Sequence, residues 1–345
     1  MRRLKLFLSK IYAKGFIGLY KYFCYRLENQ EKRCSYGNLH PNKIFYVIRS
    51  INDSSKFYEG VKLNLLANYS YVISHIMYAN KKGYIPVIDQ KNYPVYNKEN
   101  FIVNGTDNPW EYFWVQPFGI KLEEVYKSQN VILSNRSWYQ PGNPQYSIES
   151  HKNIDSINKY NRLIQLVPLN DSIKDHIDKV TNLLFDNKKR ILGVSMRTNG
   201  HSKNSYFHAP GHPIQPTVDE LIQVIRQKIS SWDADYVFLA TEQEDNIEDF
   251  RDAFGDKLIV YPRKRYQGLK SSGEMNSSVL YKNGSKYQTS LDYLTEMELL
   301  SRCDFLVGSI TSGLRYAIFK NGGKFKHLEV LDYGCFPYSK QGTKK

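Results

Sequence analysis

Arg190-Ile-Leu-Gly-Val-Ser-Met-Arg197 is a short apolar run that ends in an arginine and a polar loop, Thr198-Asn199-Gly200. An apolar run of this length bounded by turn residues reads as a strand buried on both faces, as in a parallel sheet. Working outward, Thr217 to Ile229 has the period of a helix, with Thr217 as N-cap and Glu220 three residues on, a capping box. Tyr236 to Ala240 is a second strand, followed by Thr241 and an acidic helix from Glu242 to Phe254. Leu258 to Tyr261 and Phe305 to Val307 are further strands, and Leu291 to Arg302 and Ser312 to Phe319 are helices. The N-terminal half repeats the pattern: strand Lys43–Arg49, helix Leu63–Asn80 stopped by Gly83, strand Ile85–Asp89. Residues 90–145 are aromatic, Asn-rich and Pro-punctuated, and read as long loops with short elements. Strands alternating with helices predict two doubly wound α/β domains with parallel sheets, divided near 182–190.

The 345 residues are enough for two domains, and a chain 41% hydrophobic and 24% charged is globular rather than disordered. No run of 18 apolar residues occurs, which excludes a membrane-spanning helix on length. The four cysteines have no metal-ligand spacing, and Cys303 reads as a small buried hydrophobe, so a reducing compartment is expected. The net charge of +14 points to a polyanionic partner. Half of it lies in the first 33 residues, where nine Lys/Arg face only Glu28 and Glu31. There Leu4, Phe7, Leu8, Ile11 and Tyr12 recur at helical spacing, with charges too frequent for a signal peptide. A basic amphipathic helix lying on an anionic membrane and an ordinary helix packed on the domain both fit this pattern.

In a doubly wound sheet, ligands bind beyond the carboxyl ends of the strands. Three such ends carry suitable groups. Ser195-Met196-Arg197-Thr198 offers a planar guanidinium for phosphate, and Ala240-Thr241-Glu242 a polar pair opening a helix. Gly308-Ser309-Ile310-Thr311-Ser312-Gly313 offers hydroxyls and backbone N–H groups at a helix start, an anion cradle. Together they suit a nucleoside diphosphate; singly, each also has the plain reading of a helix cap or a solvated arginine. Asp233-Ala-Asp235 has the form of a metal-binding pair but precedes a strand, the wrong end of a parallel sheet, and reads as a connecting loop. His201, His208 and His212 share one polar loop without specific ligand spacing.

Three segments resemble a known family. Gly193-Val-Ser-Met-Arg-Thr198, Val237-Phe-Leu-Ala-Thr-Glu242 and Glu296-Met-Glu-Leu-Leu-Ser-Arg-Cys-Asp-Phe-Leu-Val307 with its Gly-Ser-Ile-Thr-Ser312 extension are similar, in order and spacing, to motifs of the fucosyltransferase superfamily of GT-B architecture. The resemblance covers about residues 190–320. It extends more weakly to Tyr58-Glu-Gly-Val-Lys-Leu-Asn64 and Asn108-Pro-Trp-Glu-Tyr-Phe113. It implies two Rossmann-like domains facing a cleft, and inverting transfer of a sugar, typically fucose from GDP-fucose, without an essential metal or other cofactor. Arg197 would bind the diphosphate, and Thr311 and Ser312 a phosphate. Ser195, Thr198, Thr241 and Ser309 would line the donor site, and Glu296 would accept hydrogen bonds from guanine or ribose. Gly60, Asn64, Trp110 and Tyr112 would lie on the acceptor side. The family histidine is Ser195 here and its second arginine is Thr198, so donor contacts do not transfer one for one.

Inverting transfer calls for a carboxylate base within reach of the acceptor hydroxyl. Glu59, Asp89 and Glu111 fall in the acceptor domain, and Glu111 is preferred because Trp110 and Tyr112 flank it as sugar-stacking rings. The expected organisation is therefore a basic segment (1–40), an acceptor-side domain (41–185) and a nucleotide-sugar-binding domain (186–345). The expected acceptor is a glycan of the cell surface, such as lipopolysaccharide or capsule, or its lipid-linked precursor. The expected setting is cytoplasmic, at the inner face of the membrane. Another nucleotide sugar on the same scaffold and a non-catalytic glycan-binding protein are the rival readings. Nucleic acid is not expected, since no recognised binding motif is present.

Overall fold

The structure, a computed structural model, describes residues 20, 27, 29–51, 63–93, 95, 97–136, 153–197, 212–265 and 285–336. The chain divides into two compact units: Met1–Gln145 with Leu166–Pro168, and Tyr146–Gln165 with Leu169–Lys345.

The first unit carries a four-stranded sheet built from β1 (Lys32–Cys34), β2 (Phe45–Arg49), β3 (Ile85–Asp89) and β4 (Val131–Leu133), in the order β1-β4-β2-β3. β2 pairs in parallel with β3 and with β4, but β1 runs antiparallel to β4, so the sheet is mixed rather than wholly parallel. Strand β1 was not legible in advance because a three-residue Lys-Arg-Cys strand has no apolar signal. Helix α1 (Leu65–Lys82) joins β2 to β3. The side chain of Asn64 caps its start, and Gly83, at φ 71°, ends it in the left-handed conformation that glycine adopts without cost. Short α2 (Leu122–Val125) precedes β4. Phe45, Val47, Val87, Val125 and Val131 form the core on one face.

The second unit holds a five-stranded sheet in which every pairing is parallel: β5 (Ile191–Met196), β6 (Tyr236–Thr241), β7 (Leu258–Val260), β8 (Phe305–Ser309) and β9 (His327–Leu331). Its order is β7-β6-β5-β8-β9. The chain first builds outward from β5 and then crosses to its other side, so the switch point lies between β5 and β8. One face packs on α5 (Val218–Trp232) and α6 (Asp245–Phe254) through Leu192, Val194, Val237, Leu239, Leu221, Ile225 and Phe250. Thr217 and Glu220 make the expected capping box at the start of α5. On the opposite face Gly193 lets α7 (Lys286–Ser301) approach: a β-carbon there would meet Cys303 Sγ and Leu300 Cδ2 at 3.0 Å. Helix α8 (Ser312–Asn321) follows β8.

Helices α3 (Ile154–Ile164) and α4 (Asp171–Phe185) belong to this second unit, so a division near residue 185 is too late. Their partners explain why. Asn161 donates to the carbonyls of Phe319 and Lys320, Tyr160 stacks on Phe319 at 4.4 Å, and Arg302 holds Asp178 at 2.8 Å and Thr181 at 2.6 Å. Each contact joins residues more than 100 positions apart, beyond the reach of a periodicity argument. Among the described residues, no helix is long and apolar enough to cross a membrane. The amphipathic reading of the N-terminal segment falls almost entirely outside the described residues.

Candidate functional site

The carboxyl edge of the five-stranded sheet gathers the strand ends singled out in the sequence. Arg197 follows β5 at the switch point. Among the described residues no carboxylate pairs with it and no hydrogen bond engages it, yet its charge reaches two neighbours, lowering the pKa of His212 and opposing the rise at Tyr293. Burial is the larger cause for His212 and favours its neutral form. Across the switch point, Ser309 at the end of β8 is 1% exposed, and its hydroxyl oxygen has no partner among the described residues. Such a buried unpaired group is uncommon, and a ligand would satisfy it. Thr311 caps α8 by accepting the Leu314 N–H at 3.0 Å, which leaves its own O–H free to donate. Ser312 bonds to Tyr293. Gly313 is required here, because a β-carbon would meet Tyr293 Oη at 2.7 Å and Met297 Sδ at 2.5 Å.

Tyr293 was not foreseen. It stands one helical turn before Glu296 on α7, amid Glu242, Arg197 and Ser312, and loss of hydration pushes its phenol up to about 12. Arg263 and Arg265 were also missed, although they stand just past β7 as Arg197 stands just past β5, and the same strand-end signal applied to them. Both are buried and share one carboxylate: Arg263 Nη2 lies 2.7 Å from Glu296 Oε2, and Arg265 Nη2 lies 2.8 Å from Glu296 Oε1. Both also donate to the carbonyl of Thr241, at 3.0 and 3.1 Å. Two buried side-chain atoms nearby in the chain, Arg263 Nε and Glu242 Oε2, have no partner among the described residues.

These contacts correct one expected role. Glu296 is 1% exposed and both its oxygens hold arginines, so it does not present itself to a base or ribose. It compensates two buried cations and ties the segment after β7 to the end of β6. Thr241 takes part through its carbonyl, while its hydroxyl accepts from Gln243 and Asn246 within its own turn. Ser195 is buried at the end of β5. Thr198, His201 and His208 lie outside the described residues. Asp233 and Asp235 both pair with Arg190 at the opposite edge of the sheet, as a connecting loop would.

The acceptor-side expectations fare differently. Trp110 and Tyr112 are fully buried. Trp110 stacks on Tyr69 at 5.8 Å and on Trp114 at 4.6 Å, so both rings are core and neither offers a face to a sugar. Glu111 accepts from Thr106 Oγ1 at 2.8 Å, Asn108 Nδ2 at 3.1 Å and Gln116 Nε2 at 2.7 Å. Those two amides in turn bond the backbone of Ile88, the outer edge of β3, where a further strand would otherwise pair. Glu111 is thus the knot of an edge cover rather than a free base. Asp89 is fully buried and accepts from Asn92 at 3.0 Å and from the Tyr126 hydroxyl. Asn64 caps α1. Glu59 and Gly60 lie outside the described residues.

No protein-family model matches the chain, and no curated protein matches it. Among solved structures it is similar to a NodZ α-1,6-fucosyltransferase soaked with GDP-fucose, at 15% identity and TM-score 0.43 over 80% of this chain and 92% of that one. A fucosyltransferase NodZ from Bradyrhizobium gives 14% identity and TM-score 0.42 over 80% and 92%. A mutant of Arabidopsis thaliana FUT1 in complex with GDP gives 11% identity and TM-score 0.45 over 85% and 71%. These values describe a loose likeness, and the functional reading rests on the side chains.

Proposed function

We propose that the chain is a glycosyltransferase that moves a sugar from a nucleoside diphosphate donor to a hydroxyl of a glycan, with GDP-fucose as the donor the motif resemblance favours. The observation that carries this reading is Arg197: a guanidinium engaged by no described side chain, at the switch point of a parallel sheet, where the neighbouring strand ends in Ser309, whose hydroxyl has no partner among the described residues. That is where a doubly wound sheet holds a phosphorylated ligand.

The chemistry follows from the charge. The acceptor hydroxyl oxygen attacks the anomeric carbon, the bond from that carbon to the diphosphate breaks, the hydroxyl proton passes to solvent or to the departing diphosphate, and that diphosphate carries away the bonding electron pair as negative charge. Arg197 and the N–H groups opening α8 supply positive potential where that charge develops. Glu296 fixes Arg263 and Arg265 and so shapes the neighbouring wall. The proposal includes inversion and no resident metal, as the resemblance implies. The acceptor belongs to a surface polysaccharide or its lipid-linked precursor, reached from the inner face of the membrane through the basic N-terminal segment.

A thermal-shift panel with GDP, UDP and CDP tests the donor assignment. Ligand at about 100 times its Kd adds roughly 2.7 kcal/mol, which should raise the melting temperature by roughly 4 °C. A rise with GDP alone supports the reading, a rise with UDP or CDP alone replaces the donor, and no rise with any of them overturns it.

A further inference from the structure

The four-stranded sheet has a switch point of its own, between β2 and β4, because the chain passes from β2 to β3 and then returns to the other side of β2. At its carboxyl edge stands Arg49, the last residue of β2 and 5% exposed. Its Nε donates to the Ser134 carbonyl at 2.8 Å, and its Nη2 donates to that carbonyl and to Gln30 O at 3.1 Å. Its backbone N–H donates to Ser134 Oγ at 2.9 Å. Among the described residues no hydrogen bond engages Nη1 and no carboxylate pairs with the guanidinium. The acid in register with it on β3, Asp89, is spent on Asn92 and Tyr126.

A second guanidinium stands at the same place. Arg136, three residues past β4, donates through Nε to the Ser50 carbonyl at 2.9 Å. Both arginines lie over the ring of Tyr93, with their guanidinium carbons 5.6 Å and 5.1 Å from its centroid. Backbone carbonyls and the Tyr93 ring therefore hold Arg49 in a fixed position without, among the described residues, neutralising it, and Arg136 stands over the same ring. A buried cation lacking a counter-ion is costly, and an oxyanion from outside would relieve it.

We propose that Arg49 and Arg136 form an oxyanion subsite in the first unit, which takes a phosphate or carboxylate carried by the acceptor. This rests on the transferase reading above and narrows it: the acceptor is an acidic glycan or a phosphate-bearing precursor. Inorganic phosphate and glucuronate represent the two forms of the charge, with neutral glucose as control.

The test is calorimetric titration of these three probes into the full chain, with GDP in excess to occupy the donor site. Phosphate, glucuronate or both should bind saturably and more weakly as salt rises, while glucose should not bind. Preference for one of the two anions tells which form the acceptor carries. Arg136→Gln should weaken binding by about tenfold and Arg49→Gln by at least as much, as loss of a charge-assisted hydrogen bond implies. Arg136 is anchored at the sheet edge rather than within the sheet, so its variant decides the matter should Arg49→Gln unfold. Equal binding by wild type and Arg136→Gln, or no anion binding by the wild type, overturns the subsite. A nucleotide thermal shift without anion binding sinks the subsite alone; absence of a shift with GDP, UDP and CDP alike sinks the transferase reading.

Discussion

At the carboxyl edge of the five-stranded sheet two buried arginines, Arg263 and Arg265, share the carboxylate of Glu296, and a third, Arg197, has no carboxylate among the described residues. At the carboxyl edge of the four-stranded sheet the buried Arg49 guanidinium meets carbonyls and the Tyr93 ring and, among the described residues, no carboxylate. Both edges lie where parallel sheets bind ligands, but they treat positive charge differently. In the second unit, neutralised arginines build the wall and one is left for a ligand. In the first, Arg49 has no carboxylate among the described residues and leans on carbonyl dipoles and Tyr93. The difference teaches that an arginine at a strand end is not by itself a ligand contact: its carboxylate partner decides.

The sharpest way to break this comparison is Arg197→Ala. If Arg197 is the open cation of the donor edge, transfer should fall by about 10²–10³-fold or more, with the circular dichroism spectrum and melting temperature unchanged. Retained turnover in a product assay with GDP-fucose would remove Arg197 from the chemistry. Glu296→Ala probes the neutralised pair. Arg263 would lose its paired carboxylate and Arg265 would keep only the partly exposed Glu244 at 4.0 Å, so urea unfolding should show a loss of about 3–5 kcal/mol. A loss near zero would mean that the two arginines need no counter-ion and that the two edges do not differ.

The first unit adds a pH test. His75 is buried, bonded through Nδ1 to the Tyr46 hydroxyl at 3.0 Å, and burial reinforced by Arg49 pushes its imidazole down to about 3. The unfolded chain binds a proton near pH 6.5 and the folded chain does not, so His75 subtracts stability as pH falls from 6.5 towards 3. Between pH 6.5 and 4 this amounts to roughly 3 kcal/mol. His75→Leu should flatten that part of the stability profile relative to wild type, and parallel profiles would show that His75 protonates without cost. The smallest effect is expected from Glu111→Gln. As the knot of an edge cover, Glu111 should tolerate the isostere with turnover within about threefold and a loss of about 1–2 kcal/mol. A loss of about 10³-fold in turnover at unchanged stability would restore it as the base.

Much of the scaffold was legible because it is local. Strand Ile85–Asp89 and the Thr217 cap agree with the pattern read from residues, and the remaining strands and helices of the alternation differ by a few residues at their ends. What escaped is specific. Strands β1, β4 and β9 and helices α3 and α4 went unread, the residues of the two helices were placed on the wrong side of the division, and Trp110 looked like a sugar platform because Trp, Glu and Tyr in a loop carry no mark of their burial.

The sequence by itself determined the alternation of strands and helices and the position of Arg197 just past a buried strand. Periods of two and 3.6 residues and helix caps are set by neighbours within a few positions. Only the tertiary structure decided which charges are open. Glu296 is occupied by arginines 31 and 33 residues away, and Arg49 is held by Ser134, 85 residues away. A carboxylate or guanidinium looks the same in sequence whether paired or free. Its chemistry depends on the charge and the solvent within a few ångströms, and folding alone brings those partners together.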